Sequence, residues 1–352
     1  MRIRRPLTAV AGFAAAAALT LAGCASGTPS SETEGTTEPS AAASGATDEF
    51  PITIEHAFGE TVIESEPERV ATWGWGSTEA AIAAGVYPVA VAEQTWTVGE
   101  QALLPWVEDA YDEAGAEKPI VLTDAEAGAT VPYEEFVEAQ PDVIIAPYSG
   151  ITQEQYDLLS EIAPVVAYPE APWQTPWDDI ITITADALGR SDAGEKVVAD
   201  IDAYLADEAE AHPEFEGKTV ATIVDSPAEG LIYVYRSVDP RAGFLEGLGL
   251  VTAPAVDELA PADSEFFYTL SYEELDKLDS DVVVAYTYSP EEAQAFDDNT
   301  KLQAIPAVKA GMVAKVVGRV ETSAVSPPTA LSVTWEGGMP ALVDTLSGVL
   351  AE

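Results

Sequence analysis

The sequence predicts an α/β protein of two lobes, each built on a central, mostly parallel sheet. A single long α-helix joins them, and a ligand cleft lies between them. Three observations predict this. Around residues 192–212, Ala193, Val197, Ile201, Tyr204, Leu205 and Ala209 recur at three- and four-residue steps, which draws an apolar stripe along one helix face. About twenty residues at 1.5 Å rise span roughly 30 Å, the width of a small domain. A helix–strand unit then occurs once on each side of that helix. Tyr133-Glu134-Glu135-Phe136 leads to Pro141-Asp142-Val143-Ile144-Ile145, and Tyr272-Glu273-Glu274-Leu275 leads to Asp281-Val282-Val283-Val284. The tyrosine and the aspartate have the same separation both times (133 to 142 and 272 to 281). Finally, aromatic residues follow strand upon strand at the same end, where ligands bind in open α/β sheets.

Residues 1–23 read as a signal segment. Arg2, Arg4 and Arg5 form a basic head, and the Ala-rich apolar run behind it is too short for a stable span. Leu21-Ala22-Gly23-Cys24 resembles the lipobox of bacterial lipoproteins, which implies cleavage before Cys24 and lipidation there. Cys24 is the only cysteine, so neither a disulfide nor a thiolate metal site is available. Residues 24–49 are Ser, Thr, Gly, Ala and Glu without an apolar run, the composition of a disordered tether. The order of anchor, tether and body describes a protein held by lipid at the outer face of the bacterial cytoplasmic membrane.

Charge narrows the partners. Three of the fifteen Lys and Arg leave with the signal segment, so 12 face 61 Asp and Glu, a formal −49. Nucleic acid is excluded electrostatically. Each remaining cation is conspicuous in such a chain.

The N-terminal lobe spans residues 50–176. It opens with a hairpin that turns at Gly59, followed by strands from Arg69, Pro88, Val143 and Val165. Trp73, Trp75, Trp96, Tyr148 and Trp173 sit in the loops after them and are expected to line one cleft wall. Taken singly, such aromatics are ordinary core residues; together they suit a large, partly apolar or delocalised ligand.

Residues 177–212 form the connecting helical segment. Asp192 is its expected N-cap and Pro213 its stop. The C-terminal lobe spans residues 213–352. There Arg236, at a strand end, is the expected electrostatic contact with ligand, with Arg241 a second candidate. Phe266 and Phe267 precede the second Tyr-Glu-Glu, and Tyr286 follows its strand. From Pro327 the chain is expected to run as helix to its end, with Trp335 in the core and a kink at Gly337-Gly338.

The lipobox, the segment opening at Phe50, the paired helix–strand units and the single connecting helix together resemble the substrate-binding proteins of ABC importers. The match is to the class with a helical spine that carries ferric siderophores, cobalamin and haem, and the iron–siderophore branch is the most similar. It covers residues 50–352. The resemblance implies capture of a ferric siderophore and its delivery to a membrane permease by a monomer that is not an enzyme and has no cofactor. Glu134 and Glu273 match the carboxylates, one per lobe, that dock onto the permease, with Glu135 and Glu274 as alternatives one residue away. Phe267 falls at a cleft aromatic whose N-lobe counterpart is Gly128.

No protein metal ligands are expected, because the siderophore wraps its own iron and His56 and His212 sit near no ligand cluster. The scarcity of cleft cations favours a neutral or cationic ferric hydroxamate over a catecholate; cobalamin and haem stay open. The competing class is a secreted glycoside hydrolase working through paired carboxylates. The sequence offers no nucleophile elbow and no phosphate loop.

Overall fold

The computed structural model describes residues 45–98, 102–124 and 128–351, the side chains of Trp96 and Val98 excepted. The signal segment, Cys24 and most of the tether lie outside the described residues.

In the N-terminal lobe, five short apolar strands pair in parallel. Their spatial order is Ile120–Leu122, Ala90–Ala92, Val70–Thr72, Val143–Ile145 and Val165–Val166. Near-continuous Val, Ile and Ala suit strands covered on both faces. The hairpin Ile52–His56 and Gly59–Ile63 forms a separate antiparallel pair.

The C-terminal sheet is mixed, in the order Phe267–Ser271, Leu231–Tyr235, Thr219–Ser226, Val282–Thr287, Val313–Val317. Leu231–Tyr235 pairs antiparallel with both of its neighbours, while Val282–Thr287 is parallel to both of its own. Val251–Thr252 adds a further parallel pairing on Thr219–Ser226.

The repeated aspartate has a structural task in both lobes. Asp142 accepts the N–H groups of Glu68 (2.7 Å) and Arg69 (3.0 Å), just before Val70–Thr72, the partner of its own strand. Asp281 likewise accepts the N–H (2.8 Å) and hydroxyl (2.9 Å) of Thr219 at the start of its partner strand. Each carboxylate thereby fixes where two central strands begin.

The helix halves of the two units differ. Tyr133–Ala139 is an α-helix, whereas the second copy is a turn leading into the 3-10 helix Leu275–Lys277. Tyr272 is held by donating to Asp225 (2.5 Å) and accepting from Asn299 (2.9 Å). Asp276, Asp279 and Ser280 are also poor residues for a helix interior.

The spine runs Ser191–Ala211, and its cap is not Asp192. The Asp48 carboxylate accepts both the N–H (3.0 Å) and the hydroxyl (2.6 Å) of Ser191, bringing negative charge to the helix N-terminus. Thr47 and Asp48 also donate their N–H groups to the Gly189 carbonyl (2.9 and 3.2 Å). The chain is therefore already engaged with the body before residue 50.

Beyond Val325 the expected helix does not start at once. Residues 325–338 are turns, and the helix is Met339–Leu350. Thr329 and Ser332 explain the delay, since each hydroxyl accepts the other's backbone N–H (3.2 and 2.8 Å), an alternative to helical bonding. This segment returns to the first lobe, where Trp335 packs on Trp106 with ring centroids 5.4 Å apart. One apolar cluster consequently runs from Trp75, Trp106 and Tyr148 through Ile180, Ile201 and Leu205 to Phe244, Val284 and Leu346. The lobes share a core beneath the spine.

Candidate ligand-binding cleft

A cavity of about 180 Å³ lies between the carboxyl ends of the two sheets. It is lined by Gly74, Trp75, Gln94, Asp124, Tyr148 and Trp173 of the first lobe, and by Arg241, Phe266, Ser326 and Pro327 of the second. Three of the sequence-predicted aromatics meet here. Trp75 is nearly buried, and its indole N–H donates to the Pro327 carbonyl (3.0 Å), so it ties the two walls together. Tyr148 and Trp173 pack edge to face at 5.3 Å, and Trp173 reaches Phe266 across the cleft at 6.3 Å.

Local backbone chemistry sets these rings. Trp173 sits at φ 58°, left-handed and unusual for a bulky residue, a conformation that clusters at functional sites. Its ring lies directly over Gly150, where any Cβ would clash with the indole. Gly74 has φ 84° and packs so closely on the Tyr148 carbonyl that no side chain fits. Gly128, the counterpart of Phe267 without an aromatic, has the Trp173 ring against it; the missing ring comes from elsewhere in the chain.

The remaining expected residues lie elsewhere. Trp73 is 1 % exposed and packs edge to face on Phe136, under the cleft and not in it. Tyr286 is buried behind the cavity and donates its hydroxyl proton to the Val325 carbonyl (2.9 Å). Phe267 belongs to the edge strand and packs on Tyr233 and Tyr235, while its neighbour Phe266, just ahead of the strand, lines the cleft. Trp96 lies in the short helix Thr95–Val98, and its side chain is outside the described residues.

Arg236, expected at the ligand, does not line the cavity. Its guanidinium donates to Asp257 (3.3 Å) and to the carbonyls of Ser264 (2.7 Å) and Glu265 (3.0 Å), which fastens the loop that carries Phe266. The cation in the cavity is Arg241. Its Nε donates to Asp239 (2.5 Å), one Nη donates to Ser326 (3.1 Å), and its guanidinium carbon lies 3.6 Å from the Tyr235 centroid. Burial works against the Arg241 charge, but Asp239 together with Tyr235, Tyr286 and Tyr148 more than offsets it and keeps the group protonated. Burial likewise pushes the Asp239 carboxyl up, against the pull of Arg241. Tyr148 is pushed well up by burial.

A cation in the first turn of Pro240–Gly247 opposes the helix dipole, so helix chemistry argues against a functional Arg241. The signal that finds it is Asp239 two residues before, which caps the helix and neutralises the guanidinium together.

A larger groove of about 560 Å³ is lined by Glu170, Asp178, Asp179 and Glu246 among others; the strand-end aromatics do not line it. On the outer surfaces, each Glu-Glu pair divides. Glu135 accepts from the N–H (2.7 Å) and hydroxyl (2.8 Å) of Thr123, and Glu274 pairs with Lys277 (2.6 Å). Glu134 and Glu273 are exposed.

The periplasmic binding protein family model matches residues 70–317, which takes in both sheets and the spine. The chain belongs to that family. A probable siderophore-binding lipoprotein of Bacillus subtilis, YfiY, is 30% identical over 246 residues, 69% of this chain and 70% of that protein. The crystal structure of Streptococcus pneumoniae PiaA in complex with ferrichrome superposes with a TM-score of 0.77 at 35% identity, covering 85% of this chain and 99% of PiaA. A periplasmic solute binding protein from Mycobacterium smegmatis superposes at 0.70 with 25% identity, over 85% and 98%. Family and relatives are ligand-binding proteins, and no described helix is long and apolar enough to cross a membrane.

Proposed function

We propose that this protein captures a ferric siderophore of hydroxamate type in the cleft between Trp75 and Arg241 and delivers it to the permease of an ABC importer. The observation that carries the reading is the buried Arg241 guanidinium set into an aromatic-walled cavity. Guanidinium N–H groups suit the oxygens of a complex that already wraps its iron, and ring faces suit its carbon scaffold. PiaA, the relative whose structure holds ferrichrome, supports the choice of hydroxamate.

The cavity is smaller than the roughly 300–1,000 Å³ of ligand pockets. The complex must therefore part the two walls, and the shared core keeps that opening small. Anchoring through Cys24 at the outer face of the membrane rests on the lipobox and on the relative's lipoprotein name. The protein acts as a monomer and catalyses no reaction. It presents Glu134 and Glu273 to the permease, supported by the engagement of Glu135 and Glu274 elsewhere.

The test is tryptophan fluorescence of the full chain in detergent, titrated with ferric hydroxamates, ferric catecholates, haem and cobalamin. Stoichiometric quenching by a ferric hydroxamate, with the complex recovered unchanged, is expected. Quenching by haem or cobalamin alone overturns the substrate, and glycoside turnover overturns the whole reading.

A further inference from the structure

We propose that Asp124 receives a positively charged arm of the ligand, so that the cleft selects a ferric hydroxamate bearing an ammonium group. The inference rests on the siderophore reading and adds to it the charge of the substrate.

Asp124 follows the strand Ile120–Leu122 and lines the same cavity as Arg241, Trp75 and Trp173. It is only 6% exposed. Its carboxylate accepts the Gly128 N–H (2.5 Å), and among the described residues no Lys or Arg pairs with it. Its charged neighbour is Glu93, whose carboxylate accepts the Asp124 backbone N–H (3.2 Å). Burial pushes the Asp124 carboxyl up, and the Glu93 charge adds to that push. A desolvated carboxylate beside a second one is costly unless a cation arrives.

The cavity's own cation cannot fill that need, because Arg241 is already paired with Asp239. Among the described residues that line the cavity, Arg241 is the one cation and Asp124 the one carboxylate, with Asp239 and Glu93 bonded to them from outside it. A ferric ion with three hydroxamates is neutral, so a terminal ammonium makes the complex a cation that meets Asp124 in a charge-assisted hydrogen bond. A triscatecholate complex carries three negative charges and would meet unpaired carboxylate. The net charge of the whole chain acts in the same direction at long range.

The probes are ferrioxamine B, a linear ferric trihydroxamate with one free ammonium, and its N-acetylated, neutral form. Titration of the full chain is expected to give ferrioxamine B an affinity roughly tenfold or more above the acetylated form, the size of one charge-assisted bond. Asp124→Asn keeps an acceptor for the Gly128 N–H; it is expected to bring the ratio of the two affinities down to about one. Equal wild-type affinities for the two forms overturn the proposal, and so does an advantage that survives in Asp124→Asn. Where the variant fails to fold, the wild-type comparison repeated at high salt decides the matter: long-range attraction is screened there, and an advantage that disappears overturns the proposal. Tight binding of neutral ferrichrome with equal affinities for the two ferrioxamines overturns the role of Asp124 and leaves the siderophore reading standing. Binding of none of these complexes overturns both.

Discussion

The guanidinium carbon of Arg241 lies 3.6 Å from the centre of the Tyr235 ring while its Nε meets Asp239 at 2.5 Å. Arg241 thus serves the fold and the site through different faces. Removing it leaves Asp239 buried and unpaired, so Arg241→Ala is expected to cost about 3–5 kcal/mol of stability, read by urea denaturation. The double variant Asp239→Asn/Arg241→Met, which removes both charges, is expected to recover most of that stability without recovering affinity for a ferric hydroxamate. Recovery of affinity would show that Arg241 does not touch ligand.

Arg236 supports the loop behind Phe266 and does not reach the cavity. Arg236→Ala is expected to weaken ligand binding by less than about tenfold, whereas Arg241→Ala, which takes the guanidinium out of the cleft, is expected to weaken it roughly a hundredfold. Calorimetric titration of both variants with one ferric hydroxamate checks the order.

The contrast between these arginines shows what was legible in the sequence. The spine was legible because its apolar period is long, and the two lobes because the Tyr-to-Asp spacing repeats. Asp142 and Asp281 each begin a central strand, which gives that spacing a physical cause. The strand-end rule points to Trp75, Tyr148 and Trp173, which line the cavity, and to Arg236, which does not. Arg236 is at the strand end yet turns to carbonyls of its own lobe, whereas Arg241 reaches the cleft from a helix start that propensity disfavours. Phe266 and Phe267 show the same limit: one residue of register decides which ring is held in the sheet edge and which enters the cleft. The return of residues 325–338 was illegible, since local Thr329–Ser332 bonds override a composition that suits a helix.

Trp173 depends on the absence of a side chain at Gly150. Gly150→Ala is expected to displace the indole and reduce quenching by ligand, with a loss of stability of about 1–3 kcal/mol from overpacking. A near-ultraviolet circular dichroism spectrum identical to the wild type would refute the displacement.

Asp48 gives the fold an acid limit. The Ser191 hydroxyl and N–H bonds hold its carboxyl below the ordinary value. A folded value below the unfolded one means that the stabilisation is complete above about pH 5 and is lost as pH falls through the folded value. Because the group is largely solvated, Asp48→Ala is expected to cost only about 0.5–1 kcal/mol at neutral pH. The difference from wild type should shrink as pH falls through the folded value, where Asp48 takes up its proton. A gap in thermal midpoint that persists at low pH would mean that the segment is held by its backbone bonds to Gly189 instead.

The last prediction concerns the outer faces of the lobes. If delivery uses one carboxylate per lobe, the groups presented to a basic partner are those not already engaged within the protein. Glu135 satisfies Thr123, and Glu274 holds Lys277, so neither presents a free charge. Glu134 and Glu273 occupy the first position of each pair, and both are exposed. Reversal to Glu134→Arg or Glu273→Arg sets like charges against the partner, which costs several kcal/mol in an interface. Ligand affinity should stay near the wild-type value because neither residue lines the cavity, while iron uptake falls by at least about tenfold. Glu135→Gln and Glu274→Gln should retain uptake. If these two abolish uptake while the first pair leaves it intact, the docking carboxylates lie one residue further along each helix or turn, and the intramolecular bonds of Glu135 and Glu274 must open when the permease is met.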